Sequence, residues 1–184
     1  MASSLVQEND GSSELTSGDV DALRGIVEGT AESTGEAFFQ SLVEHLATAI
    51  QVQYAFVAEF SHAPTRVRTL AYWTKDRIAG NIEFNLAGTP CEEVIAGALC
   101  HHPTGVQEQF PQDEALIDMG IQSYLGVPLV DAEGQVLGHL AVFDERPMPL
   151  QPKNLLIFRL FASRAAAEFN RLHMEQMLKE SEKR

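Results

Sequence analysis

The chain is poor in the features that most often reveal chemistry. It has two cysteines in 184 residues, Cys91 and Cys100, too few for the disulfide framework of a secreted domain, and a reducing compartment would keep both as thiols. Positive charge is scarce: 13 Lys+Arg stand against 26 Asp+Glu, a formal charge of -13. That balance repels phosphate backbones and argues against direct nucleic-acid binding. No run of about 18 apolar residues is present, and the N-terminus, MASSLVQENDGSSEL, has neither a basic n-region nor an apolar h-region, so no membrane insertion is expected. A soluble, cytoplasmic protein is the expectation. There is no Walker-type loop, and no nucleophile flanked by a base and an orienting acid at recognisable spacing. No catalytic residue is assigned, and an enzyme is not expected.

What is present is apolar surface in abundance, 45% of the residues, enough for one real core. The centre of the chain is the stretch Ile121 to Glu145, IQSYLGVPLVDAEGQVLGHLAVFDE. Two Val- and Leu-rich runs flank Asp131-Ala132-Glu133-Gly134, a turn that fixes an antiparallel hairpin. In its second strand Val136, Leu140 and Val142 fall on one face, and Leu137, His139, Ala141 and Phe143 on the other. Neither face suits water, so both must be covered, and the hairpin belongs at the centre of a sandwiched sheet.

The rest of the chain can be arranged around it. Residues 1 to 16 are polar and read as a mobile tail. A weak helix follows from Asp19 to about Glu32, with Val20, Leu23, Ile26 and Val27 at helical spacing. Glu36 to Gln51 is a stronger amphipathic helix whose stripe of Phe38, Phe39, Leu42, Val43, Leu46 and Ile50 should lie on the sheet. Tyr54 to Ser61 and Arg66 to Trp73 form a second hairpin, and Asn81 to Leu86 a third extended piece. Thr89 and Pro90 start a short helix, with Glu92 placed to complete a capping box, running through Val94, Ile95 and Leu99. His101 to Gly105 ends that helix, Val106 to Phe110 is extended, and Asp113 to Met119 is a short helix closed by Gly120. Three prolines from Pro147 to Pro152 make a rigid connector. From Asn154 to the end one helix carries Leu155, Phe158, Phe161, Ala162, Ala165, Phe169, Leu172 and Met177 mostly three or four apart. At about 1.5 Å per residue it spans roughly 46 Å, so its last turns must project.

Several short motifs sit on this plan: Gly88-Thr89-Pro90-Cys91-Glu92, then Phe110-Pro111 with Asp113, then Gly120 followed by Ser123-Tyr124 and Gly126-Val127-Pro128-Leu129. The hairpin adds Asp131, Gly134, Gly138-His139-Leu140-Ala141-Val142 and Asp144. In this order the chain resembles a GAF domain over residues 36–172, of the kind placed ahead of bacterial sensor histidine kinases and related regulators in two-component systems. The resemblance implies an α+β fold: a central antiparallel sheet of five or six strands, helices on one face, a pocket under loops and short helices on the other, and long N- and C-terminal helices. It also implies a homodimer bundled through those helices. Residues 17–35 would then be a linker and dimerisation helix, and residues 173–184 the start of a signalling helix. No kinase, ATPase, cyclase or DNA-binding module is carried, so an output domain is expected outside this chain, a truncated regulator being favoured.

The candidate chemistry is thin. Cys91, Cys100, His101 and His102 are the nearest thing to a metal or redox cluster, but the chain has no CxxC pair, adjacent histidines rarely both reach one ion, and no metal site is assigned. The bland reading makes both cysteines small apolar fillers; the sharper one lowers the pKa of Cys91 at a helix N-terminus. Family bilin binders place an additional thiol near Cys91, yet the principal attachment cysteine is missing, with Leu116, Ile117, Asp118 and Met119 around that site. The motifs of the family's cyclic-nucleotide binders and methionine sulfoxide reductases are also absent. Haem stays open, since His45, His62, His101, His102, His139 and His173 include a central-strand candidate in His139, against the plain reading of a histidine hydrogen-bonded within its fold.

Two functions follow. The first is a sensor for an unknown small molecule, with Phe84, Cys91, Val94, Phe110, Met119, Tyr124 and His139 lining a pocket whose occupancy shifts the exit helix. The second is a ligand-free dimerisation module whose pocket is filled by Phe84, Phe110 and Tyr124. Pocket volume separates them.

Overall fold

The computed structural model describes residues 16–31, 33–61, 63–149 and 151–184. The expected tail over residues 1–15, His62, and the side chains of Ile26 and Val27 lie outside the described residues. Helices α1 (Ser17–Ala31) and α2 (Gly35–Ile50) lead into β1 (Tyr54–Phe60), β2 (Arg66–Thr74), β3 (Arg77–Ala79) and β4 (Glu83–Asn85). Then come α3 (Pro90–Ile95), β5 (Cys100–His102), α4 (Val106–Gln109), α5 (Glu114–Asp118), β6 (Ser123–Val130), β7 (Val136–Asp144) and α6 (Pro152–Glu182). Among the described residues the antiparallel sheet has seven strands in the order β3-β2-β1-β7-β6-β5, with β4 also paired to β2, rather than the five or six expected. The hairpin β6–β7 sits inside the sheet, as its two dry faces require.

Period-two alternation divides the strands cleanly between two cores. Ala55 and Val57 of β1, Leu125 and Leu129 of β6, and Leu140 and Val142 of β7 face the helices. There they meet Phe38, Phe39, Leu42, Val43 and Leu46 of α2 and Phe158, Phe161, Ala165 and Phe169 of α6. Tyr54, Phe56 and Ala58 of β1, Tyr124 of β6, and Ala141 and Phe143 of β7 face the other way, onto the layer built by α3, α4 and α5. The pairing of β6 with β7 shifts register between Leu129 and Val130. Leu137 therefore packs with the helix-side core, not on the His139 face where strict alternation put it.

Gly138 sits where β7 crosses β1. A Cβ there would lie 2.0 Å from the Ala58 carbonyl oxygen, a backbone atom with nowhere to go. Gly138→Ala is expected to cost about 3 kcal/mol or more, because the two central strands would have to separate; a urea midpoint within error of the parent would contradict this.

Long-range polar contacts tie α6 to α2 and α1, and the end of β7 to the start of β1. Thr34 makes no side-chain cap for α2. Instead Glu168 of α6 accepts the Gly35 N–H at 2.9 Å, and Arg171 donates to the same carboxylate at 2.8 and 3.0 Å. A carboxylate suits a helix N-terminus for the same reason a capping side chain does. At the other end of the sheet, buried Asp144 accepts from the Gln53 N–H at 2.9 Å and the Arg146 N–H at 2.7 Å, tying the end of β7 to the start of β1. Lys153 pairs with Asp19, which holds α1 beside α6. Beyond Leu172 the residues of α6 are almost all exposed, and its last turns project from the domain as its length demanded. Among the described residues no helix is long and apolar enough to cross a membrane.

The structure corrects local expectations and adds one strand that the sequence reading did not assign. Cys100–His102 is a strand on the sheet edge rather than a helix end, because it finds β6 as a partner through Cys100↔Gly126 and His102↔Tyr124. Val106–Gln109 is a single helical turn, not an extended piece, and α3 stops at Ile95 before Leu99. Arg77–Ala79 adds a strand across the Lys75-Asp76 turn, pairing Thr74 with Arg77.

Candidate functional site

On the face away from α2 and α6 the sheet leaves a cavity of about 330 Å³. Its floor is aromatic and comes from four strands: Phe56 of β1, Tyr72 of β2, Tyr124 of β6 and Phe143 of β7. Phe56 is the hub. Its ring lies 6.1 Å from Tyr72, 5.9 Å from Phe84 and 5.7 Å from Phe143, each edge to face, the arrangement that ring quadrupoles favour. Phe84 and Asn85 of β4 form one wall, Thr89, Pro90 and Cys91 at the start of α3 another, and Gln112 to Leu116 with Met119 the third. Ile82, 46% exposed, stands at the mouth.

The polar groups of the lining are held neutral or turned to structural work. The Tyr124 hydroxyl donates to Cys91 Sγ at 3.2 Å. Burial pushes the Cys91 thiol up to about 12 and holds the Tyr124 phenol well above its usual value. The thiol is therefore not activated by its place at the start of α3: desolvation outweighs any help from so short a helix. Gly126 makes the pair possible, since a Cβ there would lie 2.6 Å from the Tyr124 hydroxyl and 2.7 Å from Val94. Burial likewise pushes Tyr72 up to about 12, its hydroxyl 3.9 Å from Met119 Sδ. Asp113 caps α5 by accepting from the Leu116 N–H at 3.4 Å, and burial raises its carboxyl above the ordinary range. The capping box expected at α3 forms differently: Thr89 donates to the Leu86 carbonyl at 2.7 Å, and Glu92 accepts from the Gly88 N–H at 2.9 Å.

Of the seven residues expected to line a pocket, Phe84, Cys91, Met119 and Tyr124 do so. Val94, Phe110 and His139 do not. Val94 is buried between α3 and β6 behind the wall, and Phe110 packs edge-on against the His102 ring at 5.3 Å. His139 lies under the floor, its ring 5.2 Å from Phe56, with no hydrogen-bond partner for either nitrogen among the described residues. The plain reading of a hydrogen-bonded strand histidine is thus corrected as well. Phe56, Tyr72, Phe143 and Asp113 were missed, although the alternation in YAFVAEF already set Tyr54 and Phe56 on one face and small Ala55 and Val57 on the other. His101 and His102 are spoken for: His101 donates to the Met148 carbonyl at 2.8 Å, and His102 lies 3.3 Å from Glu93.

The comparisons with known proteins agree with this geometry. Among solved structures, the GAF domain of Acinetobacter phosphoenolpyruvate-protein phosphotransferase superposes with a TM-score of 0.67 at 15% identity, covering 88% of this chain and 99% of that one. The chromophore-binding domain of an unusual bacteriophytochrome from R. palustris gives a TM-score of 0.70 at 10% identity over 89% of this chain and 64% of that one. For the chromophore-binding domain of Stigmatella aurantiaca phytochrome P1 the values are 0.66, 12%, 85% and 61%. The chain thus spans less than two thirds of either phytochrome fragment, and at these identities the likeness is one of fold. No curated protein matches the chain. The family model described as GAF domain matches residues 34–169, most of the chain from α2 to α6. The chain belongs to the GAF domain family.

Proposed function

We propose that the chain is a regulatory small-molecule sensor domain of a cytoplasmic bacterial signalling protein, working by binding rather than catalysis and relaying its ligand state through a dimeric exit helix. The observation that carries this is the open cavity of about 330 Å³, within the range of small-molecule sites, mostly apolar with a few polar groups. Phe84 and Tyr124, two of the side chains that would fill it in a ligand-free module, stand in its wall and its floor and leave the space clear, while Phe110 is engaged elsewhere. The neutral thiol and phenols of the lining suit binding. The volume and the lack of any Lys, Arg or His among the described lining residues do not fit a linear tetrapyrrole with its carboxylate side chains.

The route to the output follows from alternation along the strands. Tyr124 and Phe143 touch the cavity, while their neighbours Leu125 and Val142 belong to the core that holds α6. A ligand that moves the floor therefore moves the seat of the exit helix, and a coupling of about 1–3 kcal/mol is enough to bias an attached output domain. On the exposed side of α6, Leu156, Leu160, Ser163 and Ala167, and then Met174 and Met177, recur at steps of four and three; the position between the two sets, Asn170, is half-buried and donates to the Val130 carbonyl. That spacing makes a coiled-coil seam for a second copy. Leu156, Met174 and Met177 are 48%, 65% and 59% exposed.

Native mass spectrometry of the freshly purified protein, followed by thermal shift with whatever copurifies, tests the sensor reading. A non-covalent adduct whose re-addition at a hundredfold excess over its Kd stabilises the fold by about 3 kcal/mol is expected. A chain free of adduct that no metabolite stabilises would count for the structural module instead.

A further inference from the structure

We infer that the cavity takes a compact, largely aromatic molecule carrying one positive charge, its ring over the floor and its ammonium at Asp113 and Glu114, and that it rejects anions. This rests on the reading of the cavity as a binding site. Among the described residues that line it, the only charged side chains are Asp113 and Glu114, with no Lys, Arg or His. An anion entering would give up water for a space with no counter-charge and would face a carboxylate, which is costly in both respects. A cation meets the opposite situation. The floor offers the faces and edges of Phe56, Tyr72, Tyr124 and Phe143, with Phe84 beside them, and an ammonium near such rings is attracted by their quadrupoles. Asp113 is half-buried and makes no ion pair among the described residues, so its carboxylate is partly stripped of water without a cationic partner. A ligand ammonium would supply that partner. The amide side chains of Asn85 and Gln112 at the same mouth can hold a neutral polar end, which makes an uncharged analogue the natural reference ligand.

Three molecules of matched shape separate the possibilities: 2-phenylethylamine, 2-phenylethanol and 3-phenylpropionate, titrated calorimetrically against the full chain at neutral pH and low salt. The amine is expected to bind about tenfold more tightly than the alcohol, and the acid about tenfold more weakly, from an ion pair at a partly exposed carboxylate plus the ring contact. The double variant Asp113→Asn with Glu114→Gln keeps the α5 cap, since asparagine caps a helix as well as aspartate does. In it the amine should lose its advantage to within about twofold, while the alcohol binds as before. If the alcohol binds but the acid equals it, or if the amine keeps its advantage in the double variant, the charge assignment is overturned and the binding cavity stands. If none of the three binds, the aromatic-cation assignment is overturned, while the sensor reading still answers to its own test by native mass spectrometry.

Discussion

Replacing His139 with leucine is expected to stabilise the domain by about 1–3 kcal/mol at neutral pH and to remove most of its sensitivity to mild acid. His139 is fully buried in β7, opposite Ala58 of β1 and Pro128 of β6, and neither ring nitrogen has a hydrogen-bond partner among the described residues. Burial holds its pKa at about 3. The folded protein therefore keeps a neutral imidazole while the unfolded chain takes up a proton below its ordinary value near 6.5. Because the unfolded state binds the extra proton, stability is full above pH 6.5 and falls as the pH drops toward 3. Each unit of that window costs about 1.4 kcal/mol, so about 2–3 kcal/mol should be gone by pH 4.5. The buried carboxylates act lower on the scale. Burial pushes Asp144 up, but its hydrogen bonds with Arg146 outweigh that and hold it below the usual range, and Arg171 does the same for Glu168. Both lose their contribution only as the pH falls through their own depressed values, so the window from 6.5 to 4.5 belongs mainly to His139. Urea unfolding across it should show a falling midpoint for the parent and a nearly level one for His139→Leu. An equal fall in both would show that the imidazole is paired in solution.

The second large effect concerns assembly. Leu156→Glu combined with Leu160→Glu should turn a dimer into a monomer by light scattering. Each copy loses two leucines from the seam, four in all, and at about 1.5 kcal/mol apiece the dimer weakens by about 6 kcal/mol, or roughly four orders of magnitude in Kd. The fold of the single chain should be little changed, because the two side chains are 48% and 36% exposed and face away from the core. A parent that is monomeric at high concentration, or a variant that stays dimeric, would remove α6 from the interface.

The fold was legible in the sequence wherever burial alone decides the pattern. The stripe of α2 and, Leu137 apart, the alternation from His139 to Phe143 of β7 answer to buried faces, and they stand where periodicity put them. Segments whose state depends on a distant partner were not legible. Cys100–His102 is short and polar, and becomes a strand only because the edge of β6 is available to it. Leu137 changes face through a register shift that no local signal announces. The site divides in the same way. Motif residues such as Cys91 and Tyr124 pointed to it directly, whereas Phe56, Tyr72 and Phe143 look like ordinary core residues until the sheet aligns them under one opening. His139 was misplaced by one layer. Alternation gave its face correctly, but not that the Phe56 ring would stand between it and the cavity.

The claim on which the rest depends is that the space above Phe56 is accessible and empty of the protein's own side chains. A crystal of the chain under xenon pressure tests it most directly, since the gas settles into space lined by apolar side chains such as Phe56, Phe84 and Phe143. The account predicts xenon density bounded by Phe56, Tyr72, Phe84 and Tyr124. Side chains closed over that position with no xenon among them would contradict it.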